Sequence, residues 1–317
     1  MRAATIRDGG VVVAEHPDPQ PGPGEVLVRV RAAGLNGADQ MQVRGFYPPP
    51  PGSGVPEDIP GLELAGEVAE VGRNVTRFRP GDRVMAIVAG AGQAELAVVH
   101  ERQLMPVPDG LGWADAGGFP EVFLTAYDAI FGQGCLQAGD RLLVHGAAGG
   151  VGTAAVQLGV TTGARVIATV RNPDSRDAVA ALGAEQVIAP ENFAEHGPFD
   201  VILELVGATN LAENVSSIAT SGRIVVIGMS AGASAELNLG ELMHKRGRIS
   251  ASTLRGRPLE EKAILARQVE KRVLPLLAAG RIRVPVDATF GLDDVAAAYN
   301  RFSTGGKVGK IVLTPSV

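Results

Sequence analysis

The sequence predicts an α/β protein, with a doubly wound parallel sheet of six strands following a smaller, mostly β domain. The stretch 139–160, GDRLLVHGAAGGVGTAAVQLGV, runs from an apolar segment through a glycine turn into a helix. From 165 to 252, short apolar runs alternate with helical patterns, as expected for strands covered on both faces by crossover helices. Before 117, apolar residues instead alternate at the two-residue period of half-buried strands, broken by Gly and Pro.

Taken in order, 25–31 alternates through Val26, Val28 and Val30, and 64–71, 83–88 and 95–99 read as further short strands. They make a compact, mostly antiparallel β domain. The prolines at 48–51 form a stiff loop rather than a linker. The first domain ends near 117–120, and a helix starts at Val122. Strands of the parallel sheet are predicted at 141–145, 165–170, 186–188, 200–205, 223–227 and 248–252. Helices fit at 151–158, 175–182, 210–219 and 240–245. The tail carries a helix at 260–279, a strand at 283–286, a helix at 292–302 and a strand at 310–313. Six strands complete the sheet, so the tail is expected to return to the first domain. The expected division is 1–118, 119–256 and a returning segment at 257–317.

The 317 residues suffice for two domains with full cores. A net charge of −5, with 20% charged residues, provides no basic footprint for nucleic acid or an acidic membrane. MRAATIRDGG lacks the apolar core of a signal peptide, and no run of about 18 apolar residues predicts a transmembrane span. The single cysteine, Cys135, excludes an internal disulfide and a cysteine-rich zinc lobe. A cytoplasmic location is the default.

Gly149 and Gly152 match the last two glycines of GxGxxG, with Ala147 in place of the first. With Gly150 and Val151 they offer backbone N–H groups and a positive helix end to a pyrophosphate. The alternative is a tight strand-to-helix connection that binds nothing. Gly228, just past 223–227, is grouped with the cofactor positions. An acid normally closes the second strand, where it accepts from the adenosine ribose and repels a 2′-phosphate. Here Val170, Arg171 and Asn172 close it, and Arg176 follows. The planar fork of arginine suits phosphate, so NADPH is expected over NADH. Otherwise these arginines are solvated charge, partly offset by Asp174 and Asp177.

Further stretches narrow the reading: GLNGADQMQVRGFYPPPPG at 34–52, PGLELAGEV at 60–68, FPEVFLTAYDAI at 119–130, HKRGRISASTLR at 244–255 and GKVGKIVL at 306–313. With the glycine segment they resemble the zinc-independent quinone oxidoreductases of the medium-chain dehydrogenase/reductase superfamily. The tumour-suppressor-inducible subgroup shares the tyrosine-proline loop and the AGAGQAE-like turn at 89–95. The resemblance covers essentially the whole chain. It implies a GroES-like catalytic domain, a Rossmann domain, a site between them and a homodimer joined through the edge strand 248–252. Alcohol dehydrogenases of the superfamily place a zinc-binding Cys where Asn36 stands and His-Glu where this chain has Leu62 and Glu63. Asn36 and Leu62 supply neither thiolate nor imidazole, and the histidines at 16, 100, 145, 196 and 244 show no ligand spacing. His145 is either a packed structural residue or a neighbour of the cofactor.

Without a Lewis acid, the acceptor must take hydride readily by itself, as quinones and conjugated enones do. Asn36 and Tyr47 are the candidate hydrogen-bond donors to its oxygen. Beside four prolines, Tyr47 equally suits a rigid packed edge. Asp39 orders their loop. Thr125 matches the family position facing the nicotinamide, or simply bonds its own helix backbone. Pro190 stands where relatives carry a tyrosine over the adenine, and Val160 ends a signature that relatives often end in a basic or serine residue. The expected function is NADPH-dependent quinone reduction. An enone or enoyl-thioester reductase and a non-catalytic NADPH-binding protein are its rivals.

Overall fold

The structure, a computed structural model, describes residues 1–315. The chain divides into two compact units. One comprises Met1–Leu124, Leu254–Gly305 and the described residues from Lys310 onward; the other comprises Thr125–Thr253 and Gly306–Gly309. Against the expected breaks after 118 and 256, the chain crosses after Leu124 and Thr253, and four tail residues lie with the second unit.

The second unit is built on six parallel strands in the order Gln186–Ile188, Arg165–Thr169, Arg141–Val144, Phe199–Glu204, Ile218–Val226, Arg248–Ala251. Numbered along the chain this is 3-2-1-4-5-6, the order of a dinucleotide-binding sheet. Leu142, Leu143, Val144, Val201, Ile202 and Leu203 are fully buried, as strands covered on both faces require. Burying each such side chain is worth about 1.5–3 kcal/mol. The first helix, Gly150–Thr162, outruns its expected end at 158 because no breaker occurs before Gly163, which takes φ +88° and closes it. The helix expected at 175–182 shrinks to Arg176–Ala180 behind a 3-10 turn, Pro173–Ser175, capped by Asn172. The helix expected at 210–219 is Leu211–Ser217, because the next strand begins at Ile218 rather than 223.

The first unit carries a mixed sheet ordered Val286–Gly291, Lys310–Thr314, Glu25–Gly34, Glu63–Val71, Arg83–Ile87, Met105–Pro106, with Leu96–His100 also paired to Glu25–Gly34. Only its first pair is parallel. Val312 and Leu313 pair with Gly34 and Ala33, so the end of the chain joins strands near its beginning. The hairpin Arg2–Arg7/Gly10–Glu15 and the helix Gly37–Val43 add to what the sequence pattern predicted. The tail helix expected at 260–279 is two helices, Leu259–Arg272 and Leu274–Ala278, since Pro275 has no N–H to continue the ladder. The strand expected at 283–286 is Val286–Gly291. The helix near Val122 begins at Pro120.

His145 resolves as a structural residue. It is fully buried, with Nε2 2.9 Å from Asn214 Oδ1 and Nδ1 3.1 Å from Thr169 Oγ1. The amide nitrogen of Asn214 donates to Glu204 at 2.8 Å, so its oxygen accepts from His145, which fixes the Nε2–H tautomer. Burial holds the imidazole below its usual pKa, against the pull of Glu204. The folded state therefore resists a proton that the unfolded chain takes up below about pH 6.5, and stability is lost as pH falls through that value. The stability gap between the parent and His145→Gln should narrow as pH is lowered from about 8 to 5, followed by thermal unfolding. A gap independent of pH would contradict this.

Candidate active site and cofactor turn

In the first unit, a chain of buried polar groups surrounds Lys310. Its Nζ donates to Leu35 O at 2.8 Å, Asn36 Oδ1 at 2.6 Å and Glu63 Oε1 at 2.6 Å, which uses all three ammonium protons. Glu63 also accepts from Asn36 Nδ2 at 2.9 Å and from the backbone N–H of Glu121 at 2.8 Å. The second amide proton of Asn36 goes to Gly34 O at 3.3 Å. Asn36 is thus committed within the cluster, with neither N–H left for an acceptor oxygen. Gly34 makes room for the ion pair: a Cβ there would sit 2.3 Å from Glu63 Oε1 and 2.8 Å from Lys310 Cε. Leu62, next to Glu63 in the chain, is buried, so neither Asn36 nor Leu62 presents a thiolate or imidazole here.

Asp39 lies at the start of the helix Gly37–Val43, fully buried. It accepts from the N–H groups of Asn36 at 2.8 Å and Gly61 at 3.1 Å, and from Gln93 at 3.3 Å. Gln93 in turn accepts from the Tyr299 hydroxyl at 2.9 Å. Asp39 therefore orders its loop, as expected. Burial raises its pKa to about 7, with hydrogen bonds to Asn36 and the charge of Lys310 pulling the other way.

Tyr47 is half-buried on the loop after that helix, next to Phe46, which is 74% exposed. Its backbone oxygen accepts from Arg255 Nη1 at 2.6 Å, and the guanidinium carbon stands 5.1 Å from the ring centroid. Arg255 also donates to Ala89 O at 2.7 Å and Gln42 Oε1 at 2.8 Å. Burial lifts the Tyr47 hydroxyl above its ordinary pKa; Glu121 adds to this and Arg255 opposes it. Glu121 begins the helix Pro120–Tyr127 and is pushed up to about 8, by burial first and the charge of Glu63 second. Lys310, Glu63, Glu121 and Arg255 were not among the residues expected from sequence. The available signal was Glu63 between Leu62 and Leu64 and Lys310 heading an apolar strand, two opposite charges in runs that otherwise read as core.

In the second unit, Gly149 caps the helix Gly150–Thr162, and the first-turn N–H groups of Gly150, Val151 and Gly152 have no carbonyl of their own helix to bond. The two glycines have different reasons. A Cβ on Gly152 would lie 2.6 Å from Ala147 Cα, so helix and turn could not close; one on Gly149 would meet only Gly146 O, at 3.4 Å. The tail crosses this turn, Gly309 N donating to Ala148 O at 2.8 Å. Gly228 packs against Leu205 O, which a Cβ would approach to 2.2 Å. At the end of the second strand Arg171 is exposed and has no ion-pair partner among the described residues. Asn172 caps the following turn through Asp174 N at 3.2 Å, and Arg176 Nε donates to Val170 O at 3.2 Å. Thr125 is 6% exposed, and its hydroxyl oxygen is buried without a hydrogen-bond partner among the described residues. A group that brings a donor or acceptor to Thr125, and phosphates to the turn, fits these residues.

Two family models match the chain, the alcohol dehydrogenase GroES-like domain over residues 22–132 and the zinc-binding dehydrogenase over 150–271. A quinone oxidoreductase of Pseudomonas aeruginosa is 32% identical over 97% of this chain and 97% of its own. An acryloyl-coenzyme A reductase of Metallosphaera sedula is 30% identical over 99% of this chain and 100% of its own. A spectinabilin polyketide synthase protein, NorB, of Streptomyces orinoci is 35% identical over 92% of this chain, which spans only 13% of that protein. Among solved structures, AibC superposes with a TM-score of 0.86 at 29% identity, covering 100% of this chain and 96% of that one. A GroES-like unit joined to a 3-2-1-4-5-6 parallel sheet, and full-length similarity to quinone oxidoreductases, lead to one conclusion: the chain belongs to the medium-chain dehydrogenase/reductase superfamily and is an oxidoreductase.

Proposed function

We propose that this protein is an NADPH-dependent, zinc-independent reductase of quinones. The observation that carries the reading is the buried Lys310–Glu63–Asn36 cluster, in which an ammonium is already bonded to a carboxylate and an amide and no thiolate or imidazole takes part. An acceptor that stabilises its own negative charge needs no Lewis acid, and quinones are such acceptors. When bound, the dihydronicotinamide supplies the hydride. The chain's part is to hold phosphate at Gly149, Gly150, Val151 and Gly152, to meet the nicotinamide side with Thr125, and to donate to the acceptor oxygen through Tyr47. Asn36 serves instead to hold Glu63 and Lys310. The second reading, an enoyl-thioester reductase on the same fold, draws on the full-length similarity to an acryloyl-coenzyme A reductase. Oxidation of NADPH with a quinone panel beside a short enoyl thioester separates them. Quinone turnover supports the first; thioester turnover without quinone turnover supports the second; tight NADPH binding without any turnover leaves a non-catalytic binding protein.

The unpaired Arg171, with no acid at the strand end, supports NADPH over NADH. Arg171→Ala should weaken NADPH alone, by about 1–3 kcal/mol for a charge-assisted bond, measured by fluorescence titration with both cofactors. Equal loss for both would remove Arg171 from a 2′-phosphate site. Gly149→Val should leave the fold intact, since the protein leaves space at that Cβ, and should abolish NADPH binding. Unchanged affinity would misplace the pyrophosphate.

For Tyr47→Phe, quinone turnover should fall about tenfold and enone turnover more, with NADPH affinity unchanged. Rates within about twofold on both would make Tyr47 a packing residue. A homodimer fits the edge strand Arg248–Ala251, which pairs on one side only. No helix among the described residues is long and apolar enough to cross a membrane, and a cytoplasmic location is part of the same proposal.

A further inference from the structure

We propose that Arg255 is the positioning residue for Tyr47, acting with Gln42 as a clamp that holds both ends of the segment 47–57 and the direction of the tyrosine ring. The inference rests on the reductase reading above, in which Tyr47 donates to the acceptor. Every residue of the clamp lies in the first unit. From Arg44 to Leu62 the chain runs without helix or strand, and it turns at Gly52 and Gly54 with φ +75° and +69°. Within 47–57 one hydrogen bond is found among the described residues, Ser53 N–H to Pro50 O at 3.1 Å. The hydrogen-bonded ties to the rest of the unit are at the two ends. Tyr47 O accepts from Arg255 Nη1 at 2.6 Å, and Glu57 O accepts from Gln42 Nε2 at 2.9 Å. Gln42 Oε1 accepts from Arg255 Nη2 at 2.8 Å, so one amide joins the guanidinium to the far end of the loop. The orientation of that amide is fixed, because a guanidinium only donates and a carbonyl only accepts.

The guanidinium is 5% exposed, and its bonded acceptors, Tyr47 O, Gln42 Oε1 and Ala89 O at 2.7 Å, are all uncharged. A buried cation without a bonded carboxylate contributes little to stability, since its lost hydration is only partly replaced. What the planar fork supplies is geometry: it sets three separate segments in one arrangement. It also touches Tyr47 twice. Besides the backbone bond, the guanidinium carbon stands 5.1 Å from the ring centroid, so backbone and ring are constrained by the same group. Arg255 is itself held, because Lys262, on the helix Leu259–Arg272, donates to Arg255 O at 2.7 Å. Gly90 leaves room for the clamp: a Cβ there would lie 3.3 Å from Arg255 Nη2 and 2.8 Å from Val55 Cγ1. Holding a donor in one direction before the acceptor arrives removes the entropy of finding it, and that gain goes to the acceptor step alone.

The chain has three tyrosines, so fluorine NMR of the whole protein carrying fluorotyrosine gives one resonance for Tyr47, identified by its loss in Tyr47→Phe, beside those of Tyr127 and Tyr299. Arg255→Lys keeps the charge and loses the fork. It should displace or broaden the Tyr47 resonance and leave the other two in place. With this variant kcat/KM for a quinone should fall about tenfold at unchanged NADPH affinity, and in a Tyr47→Phe background the same substitution should cost less than about twofold. Gln42→Met leaves Arg255 intact and releases the far end of the loop. It should give the same signature more weakly, and it serves as the test if Arg255→Lys does not fold. A Tyr47 resonance unmoved in both variants overturns the clamp. An unchanged kcat/KM in Arg255→Lys, effects of Arg255→Lys and Tyr47→Phe that multiply, or a matching loss of NADPH affinity overturns the positioning role and leaves Arg255 a packing residue. A parent that reduces no acceptor overturns the reductase reading and this role with it, whether or not the resonance moves.

Discussion

A single ammonium group organises the first unit. Lys310 arrives on the last strand and places its three protons on Leu35, Asn36 and Glu63, residues from near the other end of the chain. The pair with Glu63 is buried on both sides, so neither charge has water as an alternative partner. Removing one partner from such a pair costs about 3–5 kcal/mol, because the other charge is left uncompensated. The loop holding Asp39, the turn at Gly61 and the start of the helix Pro120–Tyr127 are all bonded to this cluster or to its immediate neighbours. The return of the tail is therefore what completes the polar cluster as well as the sheet.

The same cluster is what the proposed zinc-independent chemistry rests on. A metal-dependent dehydrogenase needs thiolate or imidazole donors, and an ammonium bonded to an amide and a carboxylate repels a second cation. Asp39 and Glu121 both sit far above the ordinary carboxylate range, and each is raised first by burial. Asp39 is tied to the backbone N–H groups of Asn36 and Gly61, and its part is structural.

Much of the fold was legible in the sequence because its signals are local. Apolar runs such as Val201, Ile202 and Leu203 can be satisfied only by a strand covered twice, and Gly149 and Gly152 mark a turn wherever they fall. The places that read wrongly depend on competition between neighbours. Ile218 left a helix pattern because its strand starts early, and Pro275 split a periodic tail helix in two. The site was harder to read. Tyr47, Thr125 and Arg171 lie in stretches with recognisable character. By contrast, Lys310 meets Glu63 across 247 positions and Arg255 meets Tyr47 across 208. No periodicity reports such pairings. Asn36 looked like a donor to substrate because its surroundings were unknown; its amide protons are spent inside the protein.

Metal dependence gives the most direct test. NADPH oxidation by a quinone would be followed on protein exhaustively treated with a strong chelator, before and after adding zinc, with metal content measured on the same samples. Turnover that survives chelation, at less than one zinc per chain and without gain on adding zinc, is the expected result. Activity lost on chelation and restored by stoichiometric zinc would contradict a site built around the Lys310 ammonium.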